Sequence, residues 1–240
     1  MFAGPNGSGK STIKHVVSEK LLGVYLNPDE IQQDIQLHGF LNVRNFGVET
    51  TPEEIQTFFT ASSLLQTAGL VGEAEKLRFA DGKLSFEWVE VNAYFASVAA
   101  DFLRQKLLDL RVSFSFETVM SSPDKVALLE KAQQLGYRTY LYYIATEDPE
   151  INVARVKARV SLGGHDVPVD KIVSRYVRSL DLLLQAVKHT NRAYLFDNSR
   201  QGTDHLWVAE ITDGRELVLK SDPMPLWFQK AVWEKIQPQS

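Results

Sequence analysis

Short apolar runs alternate with longer amphipathic stretches along most of the chain. Val24–Leu26, Val112–Phe116, Thr139–Ala145 and Ala193–Phe196 read as buried strands, and each is followed by a polar residue or a turn. Between them the spacing predicts helices over Ser11–Leu22, from Ser122-Pro123 to a stop at Gly136, from Asp148-Pro149 to Gly163-Gly164, and from near Asp170 to about His189. Proline in the first turn and glycine past the last turn set these bounds. Strand and helix in alternation predict an α/β domain with a parallel sheet.

Two stretches break the rhythm. Residues 41–110 hold no convincing strand; Thr51-Pro52-Glu53-Glu54 is a capping box that opens one helix, and Trp88–Leu110 reads as another. This stretch is expected to be a helical insertion between the second and third strands. Residues 201–240 read as a C-terminal appendage. In it, Leu206–Lys220 folds as a hairpin about Asp213-Gly214, a dipeptide suited to a tight I′ turn, and Pro225-Leu226-Trp227-Phe228 leads into a closing helix. No internal repeat interrupts residues 1–240, so one domain is expected.

Composition narrows the class. The 240 residues are 44% hydrophobic with a formal net charge of −4, which is enough apolar content for a core and no basic excess for general nucleic-acid binding. There is no cysteine, which excludes disulfides and thiolate metal sites. His15, His38, His165, His189 and His205 lack ligand spacing, so zinc is not indicated. No apolar run approaches the roughly 20 residues of a membrane span, and no signal-peptide pattern opens the chain. A cytoplasmic location is the expectation.

The chemistry begins at Gly4-Pro5-Asn6-Gly7-Ser8-Gly9-Lys10-Ser11, a complete phosphate-binding loop of the form G-x-x-x-x-G-K-[ST]. Its glycines let backbone N–H groups turn around a phosphate, Lys10 reaches the β- and γ-oxygens, and the Ser11 hydroxyl suits Mg²⁺. Only Met1, Phe2 and Ala3 precede Gly4, where a core strand of roughly five or six residues is usual. The first strand is therefore either unusually short or begins upstream.

Ligands gather at the carboxyl ends of parallel strands, and Asp29, Glu117 and Asp197-Asn198-Ser199 fall at such ends. A carboxylate there can take a proton from a substrate hydroxyl or hold Mg²⁺. Asn27-Pro28-Asp29 is equally good turn and N-cap chemistry, whereas Glu117 ends an apolar, serine-bearing strand where capping is less natural. Arg155 and Arg159 share a helix face, and Arg175 and Arg178 follow beyond Gly163-Gly164-His165-Asp166-Val167-Pro168. Such arginines either clamp a transferring phosphate from a lid or pair with acids in solvent. His165 reads as a catalytic residue or as a turn residue bonded to its own loop.

These residues together resemble the zeta toxin-like P-loop kinases, in particular the predicted ABC-type ATPase branch. The resemblance is carried by Ala3–Thr12, Asn27-Pro28-Asp29-Glu30, Phe114–Val119, Gly136-Tyr137, Arg155-Val156, Arg159-Val160, Gly163–Pro168, Arg175-Tyr176 and Asp197-Asn198-Ser199. It spans residues 1–40 and about 110–200. It implies a P-loop NTPase kinase-like three-layer fold with a five-stranded parallel sheet and helices on both faces. It also implies a kinase that phosphorylates a sugar nucleotide such as UDP-N-acetylglucosamine with ATP (or GTP) and Mg²⁺, restrained by a small antitoxin. Lys10 and Ser11 would then serve donor and metal, Asp29 would be the base, and Glu117 with Thr118 would position the acceptor. Arg159 and Arg175, with Arg155, would clamp the phosphate, and the Asp197-Asn198 loop would lie by the adenine. The insertion falls where substrate approaches, and leaves open a kinase of another small molecule or nucleotide, or a nucleotide-regulated interaction module.

Overall fold

The computed structural model describes residues 1–164, 166–200, 202 and 204–236. Its strands are β1 (Phe2–Ala3), β2 (Val24–Leu26), β3 (Phe40–Asn42), β4 (Arg78–Ala80) and β5 (Lys83–Ser85). They continue with β6 (Phe114–Thr118), β7 (Tyr140–Ala145), β8 (Arg192–Asp197), β9 (Leu206–Thr212) and β10 (Glu216–Leu219). Seven of these form one sheet in the order β10-β9-β8-β7-β1-β6-β2, and five of the seven run parallel. The expected five-stranded parallel sheet is thus present and is extended by β9 and β10. The hairpin continues the sheet, with β9 pairing antiparallel along the whole of β8.

The chain divides into two compact units, Met1–Ser18 with Glu117–Ser240, and Glu19–Phe116. The second takes in the 41–110 insertion read from sequence and extends beyond it at both ends.

In the first unit, β1 is only two residues long, yet it is flanked on both sides: Phe2 and Ala3 register with Glu117 and Thr118 of β6 and with Tyr142 and Tyr143 of β7. Alternation gives β7 and β8 one fully buried face, Leu141, Tyr143 and Ala145 beside Ala193 and Leu195. Helix Val169–Lys188 is fastened to that strand pair by Tyr143 Oη, 3.0 Å from Ser179 Oγ, and by Tyr176 Oη, which donates to the Thr146 carbonyl at 2.7 Å. Burial raises the pKa of both phenols, so both stay neutral hydrogen-bonding groups. On the other face Phe2, Tyr142 and Tyr194 stack in a row, with ring centroids 5.2 and 4.9 Å apart. The hairpin turns through Asp213 and Gly214, both at positive φ, but spans three residues rather than the two of a tight turn, since Glu216 registers with Thr212.

The helix expected over Ser11–Leu22 is broken into Lys10–Ile13, a 3₁₀ turn Lys14–Val16 and Glu19–Leu22. The break is at Val17, a β-branched residue in extended conformation. Helix Pro149–Ser161 follows its sequence signal, with Asp148 as N-cap accepting from the Glu150 amide at 2.8 Å.

In the second unit, β2 pairs with the opening residues of β6, Val24 with Phe114 and Leu26 with Phe116. Helix Pro28–His38 follows β2, and its N-cap is Asn27. The helix Pro52–Thr60 opens on the full capping box of Thr51 and Glu54, and helix Ala93–Asp109 supplies much of the unit's core. The expectation of no strand between 41 and 110 is overturned: β3, β5 and β4 form a three-stranded antiparallel sheet. Its hairpin turns at Asp81-Gly82, both at positive φ, the same dipeptide signal that was recognised at Asp213-Gly214.

Candidate active site

The phosphate loop connects β1 to helix Lys10–Ile13, and each of its glycines is dictated by what lies next to it. Gly4, at φ 146°, leaves no room for a Cβ, which would meet the Ile144 carbonyl oxygen at 2.0 Å. A Cβ on Gly9, at φ 95°, would meet Asn198 Nδ2 at 2.3 Å. The loop is held from outside by two asparagines. Asn152, fully buried on helix Pro149–Ser161, donates its amide to the Asn6 carbonyl at 2.6 Å and accepts from the Thr146 hydroxyl. Asn198 donates to the Ser8 carbonyl at 2.8 Å. The Gly4 amide donates to the Thr118 carbonyl at 3.3 Å, which joins the loop to β6.

Inside this frame the polar groups are left over. Ser8 is fully buried, and its hydroxyl has no hydrogen-bond partner; Asn6 Oδ1 and Arg155 Nη1 are buried without one as well. Unsatisfied buried polar atoms cost about 1–3 kcal/mol each, so three of them at one loop mark a place built to receive a polar ligand. The Lys10 ammonium folds back onto the Gly4 and Pro5 carbonyls, 2.9 Å from each. Pro5 also accepts from the Ser8 amide at 3.2 Å, which tightens the turn.

Two predicted residues meet directly. The Ser11 hydroxyl donates to Glu117 Oε2 at 3.1 Å, and Glu117 is buried, with 7% of its surface exposed. Glu117 lies within β6 rather than at its end. Thr118 follows it and turns inward on the chain: its hydroxyl accepts from the Met120 amide at 3.0 Å, and Met120 is buried at φ 53°. A non-glycine residue held in that region is a strained point next to the site. A hydroxyl beside a carboxylate is a hard oxygen pair suited to Mg²⁺, which takes few protein ligands and shares the rest with phosphates. Among the described residues there is no group of three or more His, Cys, Asp or Glu that could hold a metal by itself.

The arginines lie on two successive helices. Arg155 and Arg159 are on Pro149–Ser161; Arg175 and Arg178 are on Val169–Lys188. Between the helices, Val167 packs with Val156 and Ile172, so the connection is anchored by its own apolar residue. Arg155 and Arg175 are half-buried, and Arg159 is exposed. Arg178 donates from Nε to the Ser121 carbonyl at 3.1 Å, which gives it a structural role beside β6. His165 lies outside the described residues.

Asp197 is engaged by groups of the chain itself. Its carboxylate accepts from the Trp227 indole at 2.8 Å and from the Ser199 hydroxyl and amide at 2.6 and 3.1 Å. It fastens the C-terminal segment, as does Glu147, which accepts from the Leu226 and Trp227 amides. Asn198 is the member of that pair that reaches the loop. Asp29 belongs to the second unit, exposed in the first turn of helix Pro28–His38, with its amide donating to Asn27 Oδ1 at 2.9 Å. Sequence reasoning passed over Asn152, Thr146 and His205; His205 Nε2 stands 3.1 Å from Thr12 Oγ1.

Comparison with known proteins bears on this arrangement. The solved structures most like it include the AvrRxo1-ORF1:-ORF2 complex with ATP, with TM-score 0.52 and 14% identity over 98% of this chain. The same complex with sulphate ions matches at TM-score 0.53 and 14% identity. This chain spans 62% of those solved chains, and likeness at that identity is likeness of fold. An uncharacterized protein of Haemophilus influenzae is 35% identical over 65 residues, 27% of this chain and 46% of that protein. The family model described as Zeta toxin matches residues 78–207, from β4 through β8 to the start of β9, which takes in Glu117 and all four arginines. That match covers more than half of the chain, and the chain belongs to the zeta toxin family.

Proposed function

We propose that the chain is an ATP- (or GTP-) dependent phosphotransferase that phosphorylates a hydroxyl of a small molecule, with a sugar nucleotide such as UDP-N-acetylglucosamine as the acceptor class. The observation that carries this reading is the pair of buried donors left without partners at the loop, Ser8 Oγ and Arg155 Nη1. A triphosphate supplies the charge and the oxygens they lack. Lys10 exchanges the Gly4 and Pro5 carbonyls for the β- and γ-phosphate oxygens, and Arg155, Arg159 and Arg175 are assigned to the transferring group. Ser11 and Glu117 are the residues that would hold Mg²⁺, which neutralises charge on the phosphate oxygens when bound.

Asp29 is assigned as the base. It takes the proton of the acceptor hydroxyl as that oxygen bonds to the γ-phosphorus and the bond to the β,γ-bridging oxygen breaks, leaving ADP. Glu117 and Thr118 are assigned to acceptor positioning. The test is transfer of label from γ-labelled ATP to UDP-N-acetylglucosamine, with a pool of hydroxyl metabolites in parallel. Transfer is expected to vanish in Asp29→Asn while ATP affinity stays within about twofold, since that change leaves the loop intact. No transfer to any acceptor would overturn the reading, and undiminished turnover in Asp29→Asn would remove Asp29 from the base role.

The solved neighbours are complexes of two open reading frame products, and a small restraining partner is proposed for this chain too. Growth arrest on expression, relieved by a co-expressed small protein, is the corresponding test. Among the described residues, no helix is long and apolar enough to cross a membrane, and a cytoplasmic setting is part of the same proposal.

A further inference from the structure

His205 lies in the connection between β8 and β9, and it stands against the phosphate loop. Its Nε2 is 3.1 Å from the Thr12 hydroxyl, and a Cβ added to Gly9 would meet that same nitrogen at 3.2 Å. The Thr12 hydroxyl already spends its hydrogen on the Gly9 carbonyl, at 2.7 Å. Thr12 therefore accepts from His205, and this fixes the proton on Nε2. The imidazole is half-buried. It faces Arg155 from helix Pro149–Ser161 and Asp204 in its own connection; from the loop and the helix after it, the groups in contact are the Gly9 backbone and Thr12.

We propose that His205 is a further residue of the donor site, one that takes up a proton when a nucleoside triphosphate occupies the loop. The inference rests on the reading of the loop as a nucleotide site. In the free protein, burial and then the Arg155 charge hold the imidazole below its usual 6.5, against the opposing pull of the Gly9 backbone and Asp204. A bound triphosphate reverses that balance. It brings several negative charges to the turn His205 touches and engages the Arg155 guanidinium. The imidazolium still donates from Nε2 to Thr12, so protonation breaks no contact at that nitrogen. The site thus gains a cation beside Lys10 and Arg155 on demand.

Linkage fixes the sign. The bound state carries the higher pKa, so binding takes up a proton at pH values between the free and bound pKa, and affinity falls as pH rises through that window. Calorimetry of MgATP binding without acceptor, at pH 6.5 in buffers of different ionisation enthalpy, reads the uptake directly. The native protein is expected to show an apparent enthalpy that varies with the buffer, together with a several-fold weaker Kd at pH 8 than at pH 6. In His205→Gln, whose amide can still donate to Thr12, the buffer dependence and the pH dependence should both be lost. Proton titration of the five histidines by NMR, with and without MgATP, gives the same answer on the native chain should the variant fail to fold. One imidazole must rise in pKa with nucleotide. MgATP binding without buffer dependence, or with the same dependence in His205→Gln, would overturn this inference alone. Absence of MgATP binding at every pH would overturn the donor-site reading and this inference with it.

Discussion

Asn152 shows how much of the site depends on one side chain far from it in sequence. It is fully buried, and it links the Thr146 hydroxyl at the end of β7 to the Asn6 carbonyl of the loop. Asn152→Ala strands the Asn6 carbonyl and leaves the Thr146 hydroxyl only its longer bond to the Asp148 carbonyl, at 3.4 Å. A stability loss of about 1–3 kcal/mol is expected from the unsatisfied carbonyl, measured as a fall in the urea midpoint with unchanged slope. Nucleotide affinity should fall as well, because the Asn6 turn is no longer held; a variant destabilised to that extent with native MgATP affinity would show that Asn152 serves only the core. The same residue explains a gap in sequence reading. Asn152 is 146 positions from Asn6, and His205 is 193 from Thr12. Neither residue type nor spacing ties such pairs together, whereas the loop declares itself because its function needs eight consecutive residues. Asp197 shows the same limit: its place at a strand end was legible, but Trp227, the residue that bonds its carboxylate, is 30 positions on.

At the scale of elements, capping was the most readable signal, and it carries a prediction about acid. Thr51 and Glu54 form the reciprocal box that opens helix Pro52–Thr60. Glu54 also accepts from Lys106 at 2.7 Å and Thr50 at 2.6 Å. The Lys106 hydrogen bond, then that of Thr50, pull its pKa from 4.5 down to about 2. A depressed carboxylate adds stability that is present above its unfolded value and is lost as pH falls through its folded one. The contribution should therefore hold above pH 4.5 and fade toward pH 2. Because Glu54 is half exposed, solvent screening limits it to less than about 1 kcal/mol. Glu54→Gln should lower the thermal midpoint at pH 7 by a few degrees and flatten its decline between pH 4.5 and 2. Parallel curves for the two proteins would contradict this. Strands β3, β4 and β5 were not legible by the same means. Each is three residues long, and Arg78-Phe79-Ala80 buries none of its three residues fully. The β4–β5 turn has its local signal at Asp81-Gly82, but the pairing of β5 with Phe40–Asn42 is a matter of register that no local pattern encodes.

At the scale of the molecule, the alternation of apolar runs made the parallel sheet readable, and the division into two units was not, because it falls inside β6 between Phe116 and Glu117. No composition shift marks it; a single strand serves both units, pairing with β2 through its first residues and with β1 through its last. This division has a consequence for how ligand binding stabilises the chain. The hydrogen bonds to the loop from Asn152 and Asn198, and the one from Gly4 to Thr118, all lie in the unit of Met1–Ser18 and Glu117–Ser240. A ligand present at 100 times its Kd stabilises the state that binds it by about 2.7 kcal/mol. Where openings are local, that gain is felt only by openings that break the binding site. Saturating MgATP without acceptor is thus expected to slow amide exchange by up to about a hundredfold at the loop, at the helix Pro149–Ser161 and at the end of β8. The amides of β3, β4 and β5 should keep their free-protein rates. Exchange followed by mass spectrometry on the intact chain reads both regions in one experiment. Equal slowing across both units would show that they open only together, and that the nucleotide's stabilisation reaches the second unit through whole-chain cooperativity rather than stopping at the first.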